Sequence, residues 1–157
     1  SAMAKRPNVI LIYTDDHGYT DMGLFGIDKH VDTPVMDKLA GGGALMKAGY
    51  SSAPQCVPSR AGLMIGRVQN EFAFPHNQSD AGEGSGYPVR SKGWSMPASE
   101  ITFAEMLKET GYQTACVGKW DVSNRKAIVE RMPNAQGFDY YFGPLGANDS
   151  GKSVLRS

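Results

Sequence analysis

The stretch Thr102-Phe-Ala-Glu-Met-Leu-Lys-Glu-Thr-Gly-Tyr-Gln-Thr-Ala-Cys-Val-Gly118 is the clearest indication of fold in the sequence. Thr102 has the hydroxyl group that caps a helix, and Gly111 is the residue type that ends one. The apolar face of this predicted helix consists of Phe103, Met106 and Leu107. Residues 112–118 follow after a minimal connection and have the composition of a strand. A helix that passes directly into a strand is typical of an α/β fold.

Elements predicted on the N-terminal side agree with this fold class. Asn8-Val-Ile-Leu-Ile-Tyr-Thr14 is a continuous apolar, β-branched run, which predicts a strand buried on both faces, as in parallel sheets. The other predicted elements are a helix over 34–40 capped by Thr33, a short strand within 44–52, and a helix over 61–65 capped by Ser59 and ended by Gly66. This order predicts an α/β protein with a largely parallel sheet and flanking helices.

Composition excludes several classes of protein. The chain has 157 residues, with 16 Lys and Arg against 16 Asp and Glu, so nucleic acid is not expected as its main partner. The longest apolar run, residues 9–13, is far shorter than the ~20 residues of a membrane-spanning helix, so no membrane anchor is expected. The two cysteines, Cys56 and Cys116, match neither a disulfide framework nor a zinc site.

The apolar content predicts a thin core. Leu, Ile, Val and Phe account for only 30 of the 157 residues, and 19 Gly and 9 Pro leave much of the chain as loop. We therefore expect the isolated chain to be marginally stable or to self-associate. Residues 68–99 are predicted to be a long polar loop, and residues 1–4 a cloning remnant and N-terminal tail.

Two short patterns have competing interpretations. Asp15-Asp16 follows the first predicted strand, where adjacent carboxylates suit Ca²⁺ or Mg²⁺, although an ordinary turn is the simpler interpretation of the pair taken alone. His17 beside them is not assigned a role. Residues 146–153 fit the P-loop pattern, but neither a buried strand before them nor a helix after them is predicted, so we interpret the match as coincidental.

Cys56-Val-Pro-Ser-Arg-Ala-Gly-Leu-Met-Ile-Gly-Arg67 is the stretch that points most strongly to chemistry. A cysteine just before a helix feels the positive end of the helix dipole, and Arg60 lies four residues further on. Both features favour a site that handles anions. A cysteine phosphatase would need an arginine six residues after the cysteine, and this chain has Gly62 there.

This string resembles the signature of the sulfatase family, C-x-P-S-R followed by an apolar turn and Gly-Arg. The matching residues are Cys56, Pro58, Ser59, Arg60, Leu63, Gly66 and Arg67. The resemblance runs from Arg6 to Gly143 and includes the Asp15-Asp16 pair, the helix and strand that end at Lys119-Trp120, and the stretch 137–143. It implies that residues 5–157 are the N-terminal part of a catalytic domain with an alkaline-phosphatase-like fold.

The resemblance also implies a mechanism. A maturation enzyme would oxidise Cys56 to formylglycine, whose hydrate attacks sulfur and releases an alcohol and then sulfate. Asp15, Asp16 and the oxidised residue 56 would hold Ca²⁺ or Mg²⁺. Arg60 would stabilise the nucleophile, and Lys119 would bind the sulfate group. Cys116, flanked by small and apolar residues, is instead expected to be a buried, unreactive thiol.

One departure from the family pattern concerns the active site. Family members commonly have Gly-Lys-Trp-His where this chain has Gly118-Lys119-Trp120-Asp121, so an acid replaces a histidine that contacts the formylglycine. Family members are also considerably longer, and their remaining metal and sulfate ligands lie in sequence that this chain does not contain.

The implied substrate is a sulfated small molecule or glycan, and the family favours a periplasmic or secreted location. A phosphonate or phosphate monoester hydrolase with the same nucleophile, and a sulfatase-like fragment without turnover, remain alternatives.

Overall fold

The computed structural model describes residues 6–72, 96–122, 130 and 132–146. The helices and strands within these residues are α1 (Pro34–Gly41), α2 (Cys56–Ile65), α3 (Phe103–Glu109), β1 (Ala115–Val117) and β2 (Tyr140–Phe142). None of the described helices is both long enough and apolar enough to cross a membrane. The chain divides into two compact units, a first unit of residues 1–49 and a second unit of residues 50–157.

Helix α1 is the main regular element of the first unit. Pro34 at its start has a φ angle suited to the first helical turn, and the helix agrees with the predicted span of 34–40. Thr33 precedes it but does not cap it through its side chain. Its hydroxyl group instead accepts a hydrogen bond from the backbone N–H of Gly23 at 2.8 Å and donates one to Asp37 at 2.8 Å, which ties α1 to the preceding turn.

Both strands predicted in or near the first unit are wrong. Residues 8–14 belong to neither described strand and are exposed along their length, with Ile10 and Ile12 exposed at 85% and 75%. Residues 44–52 are also outside the described strands. An apolar, β-branched run favours an extended backbone, but a strand also requires a neighbouring strand to complete its ladder. The only strand pair in the described residues is formed by β1 and β2.

Helix α3 and strand β1 confirm the predicted helix-strand unit in the second unit. Thr102 caps α3 by accepting a hydrogen bond from the backbone of Glu105 at 3.2 Å, while Glu105 accepts one from the backbone of Thr102 at 2.7 Å. Gly111 ends the helix with φ of 87° and donates to Lys108. The buried face differs in part from the prediction, since Ala104 is fully buried and Met106 is half exposed.

Strands β1 and β2 are parallel, with Cys116 opposite Tyr141, which agrees with the predicted largely parallel sheet. Strand β2 was not predicted, because the stretch that contains it is only three residues long and has no alternating pattern. The hydrogen bonding continues beyond the strands, since the backbone N–H groups of Trp120 and Asp121 donate to Pro144 at 3.0 Å and Leu145 at 2.9 Å.

Helix α2 supplies much of the core of the second unit. It begins at Cys56 and ends at Gly66 with φ of 71°, so the predicted end is confirmed. The predicted cap at Ser59 is wrong, because Ser59 lies inside the helix and its hydroxyl group donates to the carbonyl of Cys56 at 3.1 Å. Pro58 allows this earlier start, since a proline in the first helical turn forfeits no helical hydrogen bond.

The core packs α2 against α3 and the segments around β1 and β2. Phe138 lies between two other aromatic rings, edge-on to Phe103 at 6.1 Å and to Trp120 at 6.0 Å between centroids. The buried hydrophobic residues of this core are Val57, Ala61, Met64, Ile65, Phe72, Met96, Ala104, Trp120, Val122, Met132, Phe138, Tyr141 and Leu145. The region predicted as a long polar loop contributes Phe72 and Met96 at its two ends, and residues 73–95 lie outside the described residues.

Candidate active site

The predicted site residues lie in both units. Asp15 and Asp16 belong to the first unit, whereas Cys56, Arg60 and Lys119 belong to the second.

The carboxylates of the first unit lie on an exposed turn. Asp15 and Asp16 are both exposed, and Asp16 has a left-handed backbone with φ of 50°. Aspartate is one of the few residues that adopt this conformation readily. The neighbouring His17 is half-buried, and its Nε2 atom has no hydrogen-bond partner among the described residues.

A third carboxylate of the first unit, that of Asp21, is stabilised in its charged form a few residues further on. A hydrogen bond from the backbone of Gly18 lowers the pKa of Asp21, with smaller contributions from Thr20 and His17. Exposed carboxylate oxygens are the donors that Ca²⁺ and Mg²⁺ prefer, so the chemistry of Asp15 and Asp16 fits such a cation. Within the described residues no group of three or more His, Cys, Asp or Glu side chains is arranged to hold a metal ion.

The N-terminus of α2 places Cys56 and Arg60 one turn apart. Cys56 is the first residue of the helix and is partly buried against the core. Residues four apart on a helix share a face, so Arg60 lies on the same side. Arg60 is 7% exposed, which places a permanent positive charge inside the protein.

Arg60 connects α2 to the segment that carries Lys119. Its Nη1 atom donates a hydrogen bond to the backbone carbonyl of Lys119 at 3.0 Å. The structure therefore brings together two of the predicted site residues that lie 59 positions apart in the sequence. Lys119 lies just past β1, two residues after Val117, in agreement with its predicted position past a strand, and its side chain is only 8% exposed.

The ammonium group of Lys119 forms an ion pair with Asp121. Nζ lies 3.3 Å from Oδ2, and the side chain of Asp121 is 1% exposed. Neither carboxylate oxygen of Asp121 accepts an aligned hydrogen bond within the described residues. Asp121 also has a left-handed backbone, with φ of 52°. A buried carboxylate with so few hydrogen-bond partners is uncommon in native proteins.

Strand β2 and the residues after it hold this segment in place. The hydroxyl group of Tyr141 donates to the carbonyl of Gly118 at 3.4 Å. Gly143 has φ of 155° and packs so closely on Gly118 that a side chain there would collide with its backbone. Together with the bonds from Trp120 and Asp121 to residues 144 and 145, these contacts fix the backbone that presents Lys119.

Cys116 differs from Cys56 in its surroundings. It packs against the core from β1, and burial raises the pKa of its thiol to about 11 although the charge of Arg60 acts in the opposite direction. A thiol with so high a pKa is almost entirely protonated at neutral pH and reacts slowly. This agrees with its interpretation as an unreactive core cysteine.

The pairing of Asp121 with Lys119 was not predicted from the sequence. In the sequence, Asp121 stands out only as a departure from the family pattern. The spacing of Lys119 and Asp121 is the sequence feature that could have indicated the pair. Side chains two residues apart in an extended chain lie on the same side, where an acid and a lysine can pair.

Comparisons with known proteins identify the family. The sequence model described as Sulfatase matches residues 7–154. Human steryl-sulfatase is 36% identical over 161 residues, which cover 91% of this chain and 24% of that protein. Mouse arylsulfatase G is 36% identical over 148 residues, which cover 94% of this chain and 26% of that protein. The chain belongs to the sulfatase family.

Solved structures support the same assignment. The crystal structure of Ps i-CgsB matches with a TM-score of 0.76 and 35% identity over 91% of this chain and 29% of that one. The structure of Ps i-CgsB with k-i-k-neocarrahexaose matches with a TM-score of 0.64. These likenesses confirm the α/β, alkaline-phosphatase-like fold class. The chain spans about a quarter of the length of the curated relatives named above.

Proposed function

We propose that the complete protein containing this chain is a sulfuric ester hydrolase, which uses water to cleave R–O–SO₃⁻ into an alcohol and sulfate. The observation that carries the proposal is the placement of the Cys-x-Pro-Ser-Arg string. Cys56 begins α2, and Arg60 one turn later reaches the backbone of Lys119. A helix N-terminus, a guanidinium and an ammonium group thus belong to one compact unit, and all three favour an anionic substrate.

Formylglycine formed from Cys56 by a maturation enzyme would supply, when hydrated, the hydroxyl nucleophile of the reaction. Arg60 is buried and always charged, so it can stabilise negative charge at residue 56 without being displaced by water. Lys119 is held on a fixed backbone and can bind the sulfate group as its charge develops. Asp15 and Asp16 would hold Ca²⁺ or Mg²⁺, which supplies Lewis-acid chemistry.

We propose a sulfated small molecule or glycan as substrate. Among the relatives, one is named for steryl sulfate, and one solved structure holds a neocarrahexaose. A periplasmic or secreted location is part of the same proposal and is testable by fractionating the native host.

The two cysteines provide a matched test. The complete protein is expressed with a formylglycine-generating enzyme, and the peptide spanning residue 56 is analysed by mass spectrometry for aldehyde, hydrate and thiol. We expect Cys56→Ala to lower hydrolysis of 4-nitrophenyl sulfate by at least about a thousandfold, and Cys116→Ala to leave it within a few-fold of wild type. A Cys56→Ala variant that retains full activity would overturn the proposed function.

A further inference from the structure

Lys119 and Asp121 form a buried ion pair, and its role as inferred here rests on the proposed function. Lys119 is the ammonium group that would meet the sulfate, but its charge is already compensated. Nζ lies 3.3 Å from Oδ2 of Asp121, and the two side chains are 8% and 1% exposed. In this shielded position water screens their charges poorly, so the carboxylate acts on any anion that reaches the lysine.

The backbone that carries the carboxylate is bonded to a neighbouring segment, and its surroundings are buried. The backbone N–H of Asp121 donates to Leu145 at 2.9 Å, and the flanking residues Trp120 and Val122 are 0% and 1% exposed. With its own side chain only 1% exposed, Asp121 is enclosed by the second unit rather than turned towards solvent. Its negative charge is a fixed feature of the site.

A fixed negative charge discriminates between substrates by their charge. A sulfate monoester carries one negative charge at every physiological pH, whereas a phosphate monoester carries nearly two above its second pKa of about 6. The additional charge on the phosphate is repelled by Asp121 and gains less from Lys119, which is already paired. Repulsion of like charges is an effective means of rejecting a competing ligand.

We propose that Asp121 is a specificity-determining residue that makes this site select monoanionic esters and reject dianionic ones. Its partner Lys119 touches the substrate, while Asp121 acts through the field it imposes on that lysine and on the bound anion. This selectivity is separate from the identity of the alcohol, which other parts of the site determine.

The experiment compares three substrates that share the 4-nitrophenol leaving group, at pH 8 in the complete, formylglycine-containing protein. They are 4-nitrophenyl sulfate and 4-nitrophenyl phenylphosphonate, both monoanions, and 4-nitrophenyl phosphate, a dianion. We expect wild type to prefer the phosphonate over the phosphate in kcat/KM. In Asp121→Asn this preference should fall roughly tenfold, because the dianion is no longer repelled.

The variants suit the backbone, because Asn and His both adopt the left-handed conformation found at Asp121. Asp121→His is a second neutral replacement should Asn fold poorly, and it should shift the preference in the same direction. Asp139→Asn is the matched control, since it removes a carboxylate paired with Lys108 on the surface. It should leave all three kcat/KM values unchanged.

Two results would overturn the proposal in distinguishable ways. If wild type cleaves the sulfate ester but both neutral variants change all three substrates by the same factor, Asp121 has only a structural role and the proposed function stands. If the wild-type protein, with Cys56 converted to formylglycine, cleaves no sulfate ester, the proposed function is wrong. The proposed role of Asp121 in selectivity is then wrong as well.

Discussion

Similar sequence patterns adopt different structures in the two units of the chain. Residues 8–14 in the first unit and 112–118 in the second both have strand composition, yet only the second forms a strand. None of residues 6–49 is buried, whereas the second unit has a continuous core. We conclude that a stretch with the composition of a strand forms one where a partner strand and a capped helix lie within the same unit. For β1 these are β2 and α3.

The largest expected effect tests whether the exposed first unit has a role in chemistry. We expect Asp15→Asn together with Asp16→Asn to lower sulfate ester hydrolysis by the complete protein by roughly a thousandfold, because two charged ligands for the cation are lost. Asparagine suits the left-handed backbone of Asp16, so the turn should be preserved. Calorimetric titration with Ca²⁺ should show the same loss of affinity.

Asp32→Asn is the control for that experiment, because it removes a carboxylate from the same unit without touching the pair. It should keep both activity and Ca²⁺ affinity. Retention of full activity by the double variant would show that the turn is an ordinary turn, the simpler interpretation of Asp15-Asp16.

A second experiment introduces a side chain where the backbone around Gly137 packs closely against α3. Gly137 has φ of 93°, and a Cβ atom there would collide with the backbone of Glu105 and Ala104 in α3. We expect Gly137→Ala to lower the free energy of unfolding by about 3 kcal/mol or more. Gly66→Ala, at φ of 71° with open space around it, should cost only about 1 kcal/mol.

Urea denaturation followed by tryptophan fluorescence measures both variants. Trp120 is fully buried and reports on the core, and a Trp94→Phe background removes the other tryptophan. Equal losses of stability in Gly137→Ala and Gly66→Ala would mean that left-handed backbone alone, rather than the contact with α3, sets the cost.

Much of the fold was predictable where the determinants are local. The caps at Thr102 and Gly111 and the end of α2 at Gly66 depend on residue types within one helical turn, and the structure confirms them. The strand at 8–14 was wrong because its formation depends on pairing, which composition does not encode. The marginal stability expected of the isolated chain stays a prediction.

The features of the candidate site likewise fall into those that a local pattern predicts and those that depend on contacts between distant residues. The family signature identifies Cys56 and Arg60 because their spacing along one helix is fixed by sequence. The hydrogen bond from Arg60 to the backbone of Lys119 joins distant parts of the chain, and no local pattern contains it. The burial of Asp121 likewise arises from packing around Trp120.

A third experiment compares the threonines that precede α1 in the first unit and α3 in the second. Thr102 is fully buried, and its hydroxyl group both caps α3 and donates to the carbonyl of Gln136 at 2.8 Å. We expect Thr102→Ala to cost about 2 kcal/mol of unfolding free energy, since it leaves buried groups unpaired. Thr33→Ala removes two partly exposed bonds and should cost about 1 kcal/mol or less. Urea denaturation monitored by circular dichroism measures the unfolding free energy of both variants.

Thr102→Ser and Thr33→Ser are the matched controls, because each keeps the hydroxyl group and loses only a methyl group. Each serine variant should recover most of the stability lost in its alanine counterpart. A Thr33→Ala loss as large as that of Thr102→Ala would contradict the view that the first unit is held by weaker, solvent-exposed contacts.

The smallest effect concerns two surface carboxylates, one in each unit. Lys108, at 2.6 Å, lowers the pKa of Asp139 with help from Thr114, whereas the backbone N–H of Gly18 is the main cause of the lowered pKa of Asp21. Because each folded-state pKa lies below the unfolded value of about 3.8, each stabilisation is complete above that pH and is lost as the pH falls through the folded-state value. We therefore expect Asp139→Asn and Asp21→Asn to be slightly less stable than wild type at pH 6 and to approach the stability of wild type near pH 2 in thermal melts.

Added salt should reduce the stability difference of the Asp139 variant more than that of the Asp21 variant, because salt screens an exposed ion pair more than a hydrogen bond to the backbone. Equal salt sensitivity of the two variants would contradict these assigned causes.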